Sequence, residues 1–164
     1  MAIGDFEDKR ICYGNWYNTS AIETTIAESD IWTDLSLVGL SNVYQNNISV
    51  DLANNRWDII TTGWYIIQGR FCFSGGANDS YSMRFMYRWN STNYEVPDST
   101  ITFSTKAVNT WEVQNQMLLP FKIRNIENDG FGTSKQNFFI QVKNNTDTDN
   151  LTMENSSIIM YKIG

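Results

Sequence analysis

The sequence predicts an all-β chain: a sandwich or jelly roll of about eight antiparallel strands. Three observations carry this. Apolar residues recur at every second position in several stretches, which gathers them on one face of a strand and would scatter them around a helix. Turn-forming clusters separate these stretches at short intervals: SGGANDS (74–80), NSTNYEVPDS (90–99), ENDGFGTSKQ (127–136) and NNTDTDN (144–150). The 164 residues are 41% hydrophobic and 14% aromatic, enough for one domain with a real core and too few for two comfortable ones.

Residues 1–20 follow no regular pattern and are expected to form an N-terminal arm or docking segment, with 21–164 as the jelly-roll domain. AIETTIAESDIW (21–32) has a helical composition, but the β-branched Thr24, Thr25 and Ile26 oppose it, so strand-like segments are expected near 22–27 and 34–40. The clearest pattern follows. Trp57, Ile59, Tyr65, Ile67, Phe71 and Phe73 all occupy odd positions, with Gly63 in phase between two extended pieces. Trp64 is out of phase, beside Ile66 and Cys72, so this strand is apolar on both sides for part of its length and needs a second cover.

YSMRFMYRW (81–89) places Tyr81, Met83, Phe85, Tyr87 and Trp89 on one face and Ser82, Arg84, Met86 and Arg88 on the other. Ile101 and Phe103 continue the pattern in 99–105. In 111–123, Trp111, Val113, Met117, Leu119, Phe121 and Ile123 share a phase, and Pro120 predicts a sheet edge or a bulge. NFFIQVKN (137–144) and SSIIMYKI (156–163) are apolar on both faces. Trp64, Ile66, Phe138 and Ile140 are therefore expected on the second covered face, between subunits.

Composition excludes several functions. Net charge is −6 and the basic residues are dispersed, which disfavours nucleic acid as a partner. No apolar run approaches the ~20 residues that span a bilayer, so no membrane insertion is expected. MAIGDFEDKR carries no secretory signal, which predicts synthesis in a cytoplasm, with the protein kept there or released by cell lysis. Cys12 and Cys72 read as free buried thiols.

There is no histidine, which removes Ser-His-Asp triads, Cys-His dyads and His-ligated metals. No phosphate-binding glycine motif occurs. Glu95, Asp98, Glu112, Glu127 and Asp129 have the type a glycosidase pair needs, but they fall in loops and on wet faces. No enzyme activity, catalytic residue or cofactor is expected. Asn145, Asp147 and Asp149 alternate in NNTDTDN, a spacing that hard oxygen ligands use for calcium; the glycine and distal glutamate of an EF-hand are missing, and a solvated turn is the simpler reading. Aromatic residues stack on sugars as well as in cores, so a glycan-binding reading places contacts at Tyr94, Asn128 and Phe131 in the loops.

ISVDLANNRWDIITTGWYIIQGRFCFSG (48–75) resembles the early core of the tumour necrosis factor/complement-type jelly roll, with an aromatic at Trp57 and then Gly63-Trp64-Tyr65-Ile66-Ile67. NFFIQVKNNTDTDNLTMENSSIIMYKIG (137–164) looks like the family's closing strand pair. ETTIAESDIWTDL (23–35) followed by NNRWDIITTGWYII (54–67) is similar to short bacteriophage structural proteins of this fold. The resemblance implies a homotrimer on a virion surface, made in the host cytoplasm, as a capsid decoration, head-fibre or fibre-tip protein. Its partners would be a major capsid or fibre protein and, in the alternative reading, a cell-surface glycan.

Overall fold

The computed structural model describes residues 11–89, 92–106, 112–117, 121–123, 127–128 and 134–163. Two antiparallel sheets face each other. In the first, Gly63–Ser74 pairs along one edge with Leu151–Met153 and Ser157–Lys162 and along the other with Glu112–Met117 and Phe121–Ile123; Ile22–Thr24 lies beyond Leu151–Met153, and Tyr13–Tyr17 then Ser41–Asn46 lie beyond Ser157–Lys162. In the second, the order is Ile101–Ser104, Ser80–Trp89, Ser134–Asn144, Arg56–Ile59, Ile48–Asp51. Thr92–Glu95 also pairs with Ser80–Trp89, and Thr33–Asp34 with Ser134–Asn144. From Arg56 onward the chain alternates between the sheets at nearly every long strand, which makes the sandwich the expected jelly roll.

The period-two pattern lands as expected. Trp57, Ile59, Gly63, Tyr65, Ile67, Phe71 and Phe73 are all buried. Gly63 turns the chain from one sheet into the other at φ 144°, a conformation that side chains oppose. The inward aromatics form a continuous column. Trp16 meets Trp57 edge-on at 5.8 Å between centroids, Trp57 lies 6.1 Å from Phe138, and Phe138 stacks on Phe85 and Phe121 at 5.8 and 5.5 Å. The column continues through Phe71, Phe73 and Phe103 to Tyr81. Contacts of this geometry add to the burial of large apolar area.

Several expectations need correction. Phe138 and Ile140 point into the sandwich and are 0% and 1% exposed, so they cannot meet another subunit. The run Phe138-Phe139-Ile140 is ambiguous in phase. The ladder resolves it by placing Gln136, Phe138, Ile140, Val142 and Asn144 inward, because Phe138 registers with the inward Trp57 and Tyr87. The expected arm 1–20 contributes Tyr13–Tyr17 to the first sheet, with Trp16 in the core. Residues 1–10 lie outside the described residues. The expected 34–40 strand is mostly irregular; the chain instead forms Thr33–Asp34, Ser41–Asn46 and Ile48–Asp51. The single phase expected over 111–123 is broken, since Met117 registers with Gln68 but Phe121 with Tyr65, so the two pairings differ in register by one residue.

Phe138 sits at the branch of the aromatic column, so Phe138→Ala is expected to cost about 3–5 kcal/mol of unfolding free energy in urea titrations. Trp64→Ala, on the outer face, is expected to cost an isolated chain under ~1 kcal/mol.

Candidate functional site

The outer faces of the two sheets differ. On the second sheet, polar side chains close over the apolar ones. Arg84 lies 4.1 Å above the Trp32 ring and hydrogen-bonds to Gln141 at 2.8 Å and Glu95 at 3.3 Å. Lys143 covers the same ring at 5.3 Å and pairs with Asp30. Arg88 lies 5.9 Å above the Phe139 ring, so Phe139 and Met86 are buried within the chain.

On the first sheet the outer face stays open. Tyr13 registers with Tyr161, and Tyr161 with Ile66. The ring of Tyr13 meets that of Tyr44 at 5.4 Å and an interplanar angle of 66°. Ile163 donates its backbone N–H to the carbonyl of Trp64 at 2.8 Å, which extends the pairing of the last strand to Trp64. The register between Asn15 and Trp16 slips at Val43, and Val43 and Tyr44 are both exposed at the end of the sheet. An aromatic and aliphatic patch therefore crosses four neighbouring strands, and Trp64 is 41% exposed within it. Toward the other end the same face turns polar, through Gln68 and Arg70.

Of the four residues expected between subunits, the structure brings Trp64 and Ile66 to this patch. Tyr13, Tyr44 and Tyr161 were missed. Tyr161 was hidden in a run apolar on both faces, and Tyr13 and Tyr44 lie in stretches that alternate too weakly to read as strands.

A second cluster forms where the turn 75–79 meets the loop 145–150. Asp79, Asp147 and Asp149 each bring a carboxylate oxygen within 4.8 Å of the others. Asn144 ties them together, donating to Asp79 at 3.0 Å and to Asp147 at 2.8 Å, and Tyr81 donates to Asp79 at 3.2 Å. Three hard oxygen donors in this arrangement have the chemistry to hold a divalent cation. Asp79 replaces Asn145 of the expected set, because the Asn145 amide turns away to Ser80 and Ser82. Asp79 was unreadable as a partner, since only folding brings 79 to 147. Burial pushes the Asp79 carboxyl up, reinforced by the charge of Asp147 and opposed by its bonds from Asn144 and Tyr81. Burial likewise pushes up the Tyr81 phenol and the Cys72 thiol.

The loop residues expected for glycan contact lie only partly within the described residues. Tyr94 stacks on Tyr87 at 5.5 Å, Asn128 lies in the two-residue strand Glu127–Asn128 registered with Ser134, and Phe131 lies outside the described residues.

No family model and no curated protein matches the chain. Solved structures do. The murine APRIL crystal structure at pH 5.0 superposes with a TM-score of 0.61 at 6% identity, over 94% of this chain and all of that one. The Eiger TNF structure from S. frugiperda gives 0.62 at 10% identity, over 95% and 94%. PRD1 vertex protein P5 gives 0.51 at 12% identity, over 94% and 97%. At these identities the likeness establishes the tumour necrosis factor-like jelly roll and nothing finer.

The raised Asp79 carboxyl has a defined consequence. The folded state holds a proton there at a pH where the unfolded chain has lost it. Stability from this group is therefore gained as pH falls through the raised value toward the ordinary 3.8 and is absent above it. Urea titrations from neutral pH to pH 4 are expected to show this acid-side gain in the native chain. Asp79→Asn should remove it while leaving neutral-pH stability equal or higher.

Proposed function

We propose that the chain is a non-catalytic structural protein of a bacteriophage particle. It would act as a homotrimeric capsid decoration or head-fibre protein on the virion surface, attached to a major capsid or fibre protein. The observation that carries this is the open aromatic face around Trp64, Tyr13, Tyr44 and Tyr161. Soluble single chains rarely leave a contiguous patch of this kind uncovered. On the opposite sheet Trp32, Met86 and Phe139 are covered within the chain, and among the described residues of its strands only Tyr94, at its edge, stays comparably exposed. The tilt of the Tyr13 and Tyr44 rings argues against a flat platform for sugar stacking and favours interdigitation with protein side chains. The fold shared with the vertex protein of PRD1 supports a place on a virion.

In this reading function is packing. Burial of the patch at roughly 25 cal/mol per Å² supplies association, and each face meets a neighbour around a closed ring. The test is the solution mass by light scattering behind a sizing column. The native chain is expected at three times 18.9 kDa or a whole multiple of that. Trp64→Glu, which buries a charge in the contact, should lower the mass below three chains without unfolding the protein. A native chain that stays monomeric at every concentration would refute the reading.

A further inference from the structure

The strand Gly63–Ser74 carries the aromatic face at its start. At its other end, roughly 34 Å away for an extended strand of this length, the sheet opens into a cleft of about 370 Å³. Its wall is a row across three strands, since Thr152 registers with Glu23 on one side and Ser74 on the other. The loop 145–150 adds Asp149 and Asn150, and the turn Gly75–Gly76 forms the floor. The loop is fixed in place. The Asp149 carbonyl accepts from Tyr81 at 3.1 Å, and the Asn150 side-chain oxygen accepts from the backbone N–H of Ile26 at 2.9 Å, which leaves its NH₂ end to donate. A Cβ on Gly76 would lie 2.1 and 2.2 Å from carboxylate oxygens of Asp79 and Asp149, so the floor carries no side chain.

We propose that this cleft binds a neutral sugar of one or two rings. The lining offers two carboxylates, two hydroxyls and an amide, with no cationic or aromatic side chain. Sugar hydroxyls both donate and accept, so they meet this mixed set in full. A lone cation would be satisfied by the carboxylates and leave the hydroxyl and amide wall unused. The volume falls within the usual range for small-molecule sites. The cleft lies at the far end of the strand from the aromatic face, so association through that face leaves it open. The inference deepens the virion-surface reading by naming a ligand class on the host side. It rests on that reading only for its biological occasion.

The test is a two-dimensional amide NMR titration of the full chain with glucose, mannose, galactose and N-acetylglucosamine, with glucosamine and calcium chloride as separate arms. At least one neutral sugar is expected to give saturable shifts confined to 22–24, 74–76 and 149–152. Glu23→Ala and Asp149→Ala should each weaken it by roughly tenfold, the loss of one charge-assisted bond, with an unchanged melting temperature. The proposal is overturned by the absence of saturable shifts with every neutral sugar, by shifts with glucosamine or calcium alone, or by sugar shifts that survive both substitutions. None of these outcomes depends on the mass of the assembly, so the binding and the trimer fail separately.

Discussion

The strand Gly63–Ser74 constrains everything else in this molecule. Its two edges are committed to ladders on both sides, with Ser157–Lys162 and Leu151–Met153 on one and the pieces of 112–123 on the other. Its inner face is committed to the aromatic column through Tyr65, Ile67, Phe71 and Phe73. Only the outer face remains, and a strand in the middle of a sheet has no loop of its own to cover it. Any apolar residue placed there must be met by another element, and Trp64 has only Lys122 over its ring among the described residues and stays 41% exposed. The geometry that makes the domain stable thus leaves this face open, as the proposed association requires.

The two sheets solve the same problem differently. On the second, long cationic side chains lie across aromatic rings: Arg84 and Lys143 over Trp32, and Arg88 over Phe139. Their stems cover apolar surface and their heads stay wet. On the first, Lys122 lies over the Trp64 ring at 5.9 Å, and among the described residues no cation lies over Tyr13, Tyr44 or Tyr161. Within one chain, one sheet's outer face is largely screened by polar side chains and the other's carries exposed aromatic rings.

Much of this was legible in the sequence where alternation is strict. Trp57 through Phe73 and Tyr81 through Phe85 fix their own faces, because period two admits one answer. Legibility failed where apolar residues run consecutively. Phe138-Phe139-Ile140 fits either phase, and only the cross-strand register with Trp57 chooses. It failed again where register shifts, since the slip at Val43 and the one-residue difference between the pairings of Glu112–Met117 and Phe121–Ile123 reverse the phase with no local marker beyond Pro120. The carboxylate cluster was half legible: Asp147 and Asp149 share a loop, whereas Asp79 arrives from a distant turn. The strand Tyr13–Tyr17 was invisible because Gly14 and Asn15 dilute its pattern, and its place between Ser157–Lys162 and Ser41–Asn46 is set by pairing rather than by composition.

The central claim is that the outer face of the first sheet is buried by other copies of the chain. Hydroxyl-radical footprinting at single-residue resolution reads this directly at Tyr13, Tyr44, Trp64 and Tyr161. The account predicts that all four are protected together at working concentration and become reactive together on dilution, while Tyr94 on the other sheet is unchanged. Reactivity at those four that matches an exposed single chain at every concentration would contradict it.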